Sequence, residues 1–330
     1  RAPAHQRGSM MRIKQPARRP RIVAVGLASW DRIVDVDHYP GPGSYVVVRS
    51  TASRPGGTTS NSALTLARLG ADVALVSLIG DDADGDAMRE MLQREGVDTR
   101  WLTTVPGAVT DGATVIVSAE PDDRTILRRR GARLVRGDRL DIAGIFDHDV
   151  VLLDVDDAPL RRFLVDLPAH TRPSVRILGP LTYLVDAGVE DAFDVALRHD
   201  VFVGNCQQIC ALTGQMELDD AVAVVQTAMP GANLRAGVVS RNPEGATAFT
   251  ARERWDVAAF SIDAVDSAGA GDAFAGGVAY AMALRWDWQQ ALRFANAVAG
   301  LSTRALGAQT ALPTLDEVAD LLGVDPATLV

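Results

Sequence analysis

The chain has 330 residues, 47% hydrophobic and 23% charged, with a formal net charge of −9. That is enough chain for one large domain with an insertion, or for two domains. Residues 1–21 hold seven Arg or Lys and no acid, so the rest is more acidic than the total conveys, which argues against nucleic acid as a partner. No apolar run reaches the roughly 18 residues that spanning a bilayer requires. No apolar stretch follows the basic start, so neither a secretory signal nor a membrane partner is expected and the location reads as cytoplasmic. Residues 1–20 read as a disordered basic tail, in which Gly8–Met10 resembles a tag remnant, and 21–330 as the folded unit. Lys14 is the only lysine, which removes Schiff-base chemistry and a Walker-type phosphate loop. Cys206 and Cys210 read as reduced small hydrophobes, because no Cys/His cluster has metal spacing.

In chain order, "RIVAVG" (21–26) is a short apolar run ending in Gly, a buried strand. "SNSALTLARLG" (60–70) has helical periodicity with Gly70 at the C-terminal cap position. "ADVALVSLIG" (71–80) reads as a strand and "DGDAMREMLQREG" (84–96) as an amphipathic helix. "DVVLLDV" (149–155), "SVRILG" (174–179), "DVFVGN" (200–205), "RAGVVS" (235–240) and residues 260–265 read as further buried strands. Strands alternating with helices imply an α/β fold with a mostly parallel sheet covered on both faces. Two stretches, about 31–55 and 110–130, read instead as β-strands without a helix between them, the second a hairpin turning at "EPDDR". Together they predict a small inserted sheet that closes over a ligand as a lid.

Ligands of open α/β sheets sit beyond the carboxyl ends of the strands. One such end carries "DSAGAGDAFAGG" (266–277). The first N–H groups of a helix have no internal partner and the dipole there is positive. Gly269, Ala270 and Gly271 leave those groups uncovered, which suits a phosphoryl group whose charge grows on its outer oxygens during transfer. Asp272, one residue on, can accept the proton of a hydroxyl that attacks phosphorus. Taken alone, the stretch also fits a tight turn with Asp as a cap.

The wider sequence resembles the ribokinase-type (PfkB) family of carbohydrate and nucleoside kinases. The family's D-T-x-G-A-G-D motif appears as "DSAGAGD". Its double glycine and Asn, followed by helix, strand and G-D-D, appear as "GGTTSNSALTLARLGADVALVSLIGDDADG" (56–85). "GLASWD" (26–31), "DVFVGNCQQICALTG" (200–214) and "ALRFANAVAGLSTRALGAQTALPTLDEV" (291–318) resemble three further segments, in unbroken order over about residues 21–325. The resemblance implies a ribokinase-like three-layer α/β/α fold with a β-sheet lid. It also implies ATP-dependent phosphorylation of a hydroxyl on a small sugar or sugar-like acceptor, with Asp272 as base and Gly269–Gly271 as anion hole. Asp31, Gly57, Asn61 and Asp156 would contact the acceptor. Asn205 would lie near the triphosphate, while Ser240, Asn242, Gly245 and Asn296 flank adenine and ribose. Gln208 would reach Mg²⁺ through water, and Asp266 and Ala268 would adjoin a monovalent cation such as K⁺.

Four departures fall on the nucleotide and metal side. Gln208 stands for the acid of N-x-x-E, Asn242 for a glycine, Gly179-Pro180 for an N-P pair and Ala311 for a Ser. Asn tolerates left-handed backbone angles, so the turn at Asn242 is expected to survive. A nucleoside kinase, with Trp30 or Tyr45 clamping the base, and a sugar-binding protein with weak or lost turnover are the alternatives. Alternation puts Arg128 and Arg130 on one face of a lid strand and Arg129 on the other. The plainer reading of the triplet is a solvated face; the sharper one is a grip on a substrate carboxylate or phosphate. "YVVVRSTAS" and "ATVIVSA" are apolar for a sheet with both faces in water, so a two-fold dimer through the lid is expected.

Overall fold

The computed structural model describes residues 19–330 except 120–121, 168–174 and 187. The expected tail lies outside the described residues up to residue 18, as does the tip of the expected lid turn, Glu120–Pro121. Among the described residues the strands are β1 (Arg21–Gly26), β2 (Ser29–Val36), β3 (Val48–Gly56), β4 (Asp72–Gly80), β5 (Leu102–Val105), β6 (Gly112–Ala119), β7 (Asp122–Arg129), β8 (Val150–Asp154), β9 (Arg176–Pro180), β10 (Val201–Asn205), β11 (Ala236–Ser240), β12 (Ala246–Phe249) and β13 (Arg254–Val257). The main sheet has nine strands in the order β13-β12-β11-β10-β9-β8-β1-β4-β5. Its strands pair in parallel from β11 to β5, and β12 and β13 close one edge antiparallel. The small sheet, β3-β2-β6-β7, pairs β2 in parallel with β6 and is otherwise antiparallel.

The unbroken apolar runs form strands because both faces of the main sheet are covered. Along β1, Ile22 and Ala24 pack into one core cluster while Val23 and Val25 pack into another on the opposite face. Val150 and Leu152 of β8 alternate with Val151 and Leu153 in the same way. The first cluster is roofed by helices Thr58–Arg68, Ala270–Ala283 and Trp288–Ser302, giving the expected three layers. No helix among the described residues is long and apolar enough to cross a membrane.

Register brings the strand ends together. Gly26 pairs with Asp154, and Asn205 with Ser240, so segments far apart in sequence share one edge of the sheet. The expected strand at 260–265 does not form. The main sheet ends at β13 and these residues pair with no strand in it. β5, β12 and β13, each of four residues, were too short to read from the sequence. The lid strand expected from Tyr45 begins only at Val48.

Helix Ala270–Ala283 lies close to both neighbours because it carries two glycines. A Cβ on Gly276 would sit 3.1 Å from the Thr65 side chain, and one on Gly277 would sit 2.9 Å from the Ala295 Cα. Alanine's better helix propensity, worth about 1 kcal/mol, is therefore outweighed at Gly277 by overpacking of about 1–3 kcal/mol. Gly277→Ala is expected to lower the melting temperature, by up to about 3 °C, in a thermal scan, whereas propensity alone predicts a rise.

Candidate active site

Gly269 starts helix Ala270–Ala283 in the left-handed region, at φ 74°, and no side chain caps the helix. A Cβ here would also lie 2.6 Å from that of Ala308, so only glycine fits. The Ala270 N–H turns back to Ser267 O at 3.2 Å. Gly271 faces open space, so it is the open member of the expected anion hole. Asp266 holds this turn in place. One carboxylate oxygen accepts the Ala268 N–H at 2.9 Å and the other the Gly307 N–H at 2.8 Å, clipping the turn to the loop before Gln309.

Asp272 meets Asn61 across the core. The Asn61 amide donates to its carboxylate at 2.7 Å, and Ser62 Oγ donates to its backbone carbonyl at 3.0 Å. Asn61 Oδ1 in turn accepts from Gln309 Nε2 at 2.7 Å. Burial pushes the Asp272 pKa up to about 7; the Asn61 hydrogen bond opposes that rise and the nearby Asp154 charge adds to it. The link from Gln309 to Asn61 spans 248 positions, and no local pattern in the sequence marks it.

The double glycine shapes the neighbouring wall. A Cβ on Gly56 would sit 2.1 Å from Asp31 Oδ2, and Gly57 precedes helix Thr58–Arg68 at φ 93°. Asp31 accepts the Ala113 N–H at 2.9 Å and the Ser29 hydroxyl at 3.2 Å, and burial raises its pKa. β8 ends in one carboxylate, Asp154, and a second, Asp156, lies two residues on. Asp156 is ion-paired to Arg133 and Arg128. Asp154, which sequence reasoning passed over, accepts the Thr58 hydroxyl and lies 3.6 Å from the fully buried Arg161. Tyr183 completes this wall, its hydroxyl 3.5 Å from that of Thr58.

On the other side of Gly271 lies a cleft of about 860 Å³. Asn205, Ser240, Asn242, Gly245 and Asn296 all line it, together with Phe260, Ile262 and Phe274. Asn242 adopts φ 53°, the left-handed turn expected of it. Gly245 passes so close to Val257 O that a Cβ would be 2.0 Å away. Asn296 pins the edge of the cleft by donating to Val257 O and Ala258 O at 3.1 and 3.2 Å. Asn205 and Gln208 form a capping box at helix Cys206–Thr213: Asn205 Oδ1 accepts the Gln208 N–H and Gln208 Oε1 accepts the Asn205 N–H. Gly179 stands where a larger residue would strike the His199 ring, 2.2 Å from its Cβ position.

A deep carboxylate beside an uncapped helix start, between a polar wall and a large cleft, is the arrangement of an α/β group-transfer enzyme acting on anionic ligands. The family model for "pfkB family carbohydrate kinase" matches residues 19–315. The chain belongs to that family of carbohydrate kinases. It is 27% identical over 312 residues to a ribokinase of Bacillus subtilis, covering 91% of this chain and 99% of the relative. It is 29% identical over 303 residues to an ATP-dependent ribose-1-phosphate kinase of Halopiger xanaduensis, covering 92% and 98%. The structure of Arabidopsis thaliana ribokinase complexed with ribose and ATP superposes with a TM-score of 0.79 at 22% identity, covering 93% of this chain and all of that one.

The Asp272 carboxyl is expected to titrate near pH 7, followed by ¹³C NMR of labelled aspartate. Asn61→Ala removes a bond that favours the charged form and should move that titration to higher pH; a shift to lower pH would contradict the assignment.

Proposed function

We propose that this protein transfers the γ-phosphoryl group of ATP to a hydroxyl of a small sugar or sugar-like acceptor. The observation that carries the reading is Asp272, fixed by Asn61 at 2.7 Å and one residue from the open Gly271, with Asp31 on one side and the 860 Å³ cleft on the other. The acceptor lies against Asp31, Gly57 and Asn61. Asp272 takes the hydroxyl proton as that oxygen attacks the γ-phosphorus, and the bond to the ADP oxygen breaks. The N–H groups at Gly271 and the helix dipole receive the charge growing on the phosphoryl oxygens. The nucleotide's adenosine end occupies the cleft between Ser240–Gly245 and Asn296.

Among the described residues no group of three or more His, Cys, Asp or Glu is placed to hold a metal ion. Mg²⁺ fits here as a companion of the nucleotide, held chiefly by its phosphates, with Asn205 and Gln208 reaching it through water. It would supply charge neutralisation of the triphosphate. A monovalent cation belongs, in this reading, at the turn of Asp266 and Ala268.

Two observations favour sugar kinase over the alternatives. Trp30 lies on the other face of β2 from Asp31 and donates to Ser53 Oγ of β3, while Tyr45 is 91% exposed. With the Trp30 indole held to β3 and Tyr45 in solvent, neither ring is set as a clamp for a nucleoside base. The departures that suggested lost turnover are also accommodated locally: Asn242 keeps its turn, Gln208 its capping box, and Gly179 makes room for His199. Asp272→Asn should reduce ADP release in a coupled assay over a sugar panel by a factor of about 10² or more while leaving acceptor binding nearly unchanged. Near-normal turnover in that variant would overturn the mechanism.

We extend the proposal to a two-fold dimer through the lid, supported by the exposure of Tyr45, Val47, Val48, Ile126 and Leu127. Glutamates at Val47 and Val48 should give monomers in sedimentation. An unmodified protein that sediments as a monomer at high micromolar concentration would refute this part.

A further inference from the structure

Arg128 is the arginine of the lid triplet that faces the acceptor wall. Its guanidinium stands 5.8 Å from the centre of the Tyr183 ring, whose hydroxyl is 3.5 Å from that of Thr58. Its charge reaches Asp31, whose carboxyl it holds lower than burial alone would. Arg129 turns to the other face, to Asp84 and Thr110 O, as strand alternation requires. The triplet is therefore not a uniformly solvated face.

The two carboxylates near Arg128 already have a partner. Arg133 gives one Nη to Asp111 and the other to Asp156, and its side chain is only 16% exposed. Asp111 also accepts the Gly131 N–H at 3.0 Å. Arg128 reaches the same two acids only loosely, at 3.7 Å to Asp111 and 3.4 Å to Asp156, and is 35% exposed. Asp154 is matched separately by Arg161 and by the Thr58 hydroxyl. Arg133 and Arg161, opposite three of the wall's carboxylates, also keep N–H groups without a partner, but these are buried; Arg128 is the cation of this group that is open to an incoming ligand.

We propose that Arg128 binds an oxyanion carried by the acceptor, a carboxylate or a phosphate, at the end of the molecule away from the hydroxyl presented to Asp272. This rests on the kinase reading and narrows its substrate class to sugar acids or sugar phosphates. The oxyanion takes two parallel N–H bonds from Arg128 in place of the loose contacts to Asp111 and Asp156, and the Tyr183 hydroxyl lies beside it as a further donor. Arg133 stays paired to both acids while this happens; its single charge balances one of the two, so the anion is held by the closer two-bonded geometry at Arg128 rather than by a surplus of positive charge. Since Arg128 sits on β7 and Tyr183 on the main body, the bound anion also ties the lid to the body. Neutral sugars lose that tie.

The test compares each of several pentoses and hexoses as free sugar, sugar acid and sugar phosphate in the ADP-release assay, with the unmodified protein, Arg128→Ala and Arg128→Lys. The best acceptor should be anionic. Arg128→Ala should raise its KM by about 10- to 100-fold, several-fold more than it raises the KM of neutral sugars, and Arg128→Lys should recover part of the loss. Whether acids or phosphates respond identifies which oxyanion is bound. A neutral best acceptor, or an Arg128→Ala effect equal for neutral and anionic members, overturns the inference and leaves the kinase reading in place. Calorimetry of the same compounds without ATP separates the two in the opposite case. If nothing is turned over, the kinase reading fails, while Arg128-dependent binding of the anionic members still supports the inference and Arg128-independent binding overturns it.

Discussion

The Asn61 side chain is the joint on which the site depends. Its amide donates to Asp272 and its carbonyl accepts from Gln309, both at 2.7 Å. One primary amide thus fixes a carboxylate on helix Ala270–Ala283 and a glutamine in the loop that Asp266 clips to the start of that helix. Donor and acceptor ends cannot be exchanged without facing Asn61's carbonyl against a carboxylate, so the orientation is set by chemistry rather than by packing alone. The same bond favours the ionised form of a carboxyl that burial otherwise drives toward neutrality. A base needs to be charged some of the time and basic when charged, and a pKa near neutrality meets both demands.

Glycines give this joint its geometry. Gly269 lets the chain enter the helix left-handed, Gly276 and Gly277 let the helix approach its neighbours, and Gly56 lets Asp31 approach the backbone. These positions were legible in the sequence because glycine clusters have few other uses in a buried apolar setting. The strands were legible for a similar reason: runs such as "VVLLD" can be buried on both faces only inside a parallel sheet. The order of motifs then brought Asp31, Asn61 and Asp272 to one wall, and the structure joins Asn61 and Asp272 directly.

Other features were hidden because no local pattern encodes them. The apolar stretch at 260–265 looks like a strand, but strandhood depends on a neighbour, and the sheet stops at β13. Asp154 and Asp156 are equivalent in sequence, each just beyond an apolar run. Only the folded chain shows that one meets Thr58 and Arg161 while the other meets Arg133 and Arg128. Gly179 looked like a defect in a motif until His199 filled the space beside it. Burial and the nearby Arg161 charge push the His199 pKa down to about 3, so the ring is neutral and serves packing rather than titration.

The account turns on Asp272 acting as a base whose ionisation is set by its burial. The pH dependence of kcat/KM for the best acceptor tests this most directly. Since the base works only when ionised, the rate should rise with pH through a single acid limb with an apparent pKa of about 7. A profile that is flat from about pH 5.5 upward, or a limb near the ordinary aspartate value of about 3.9, would contradict it.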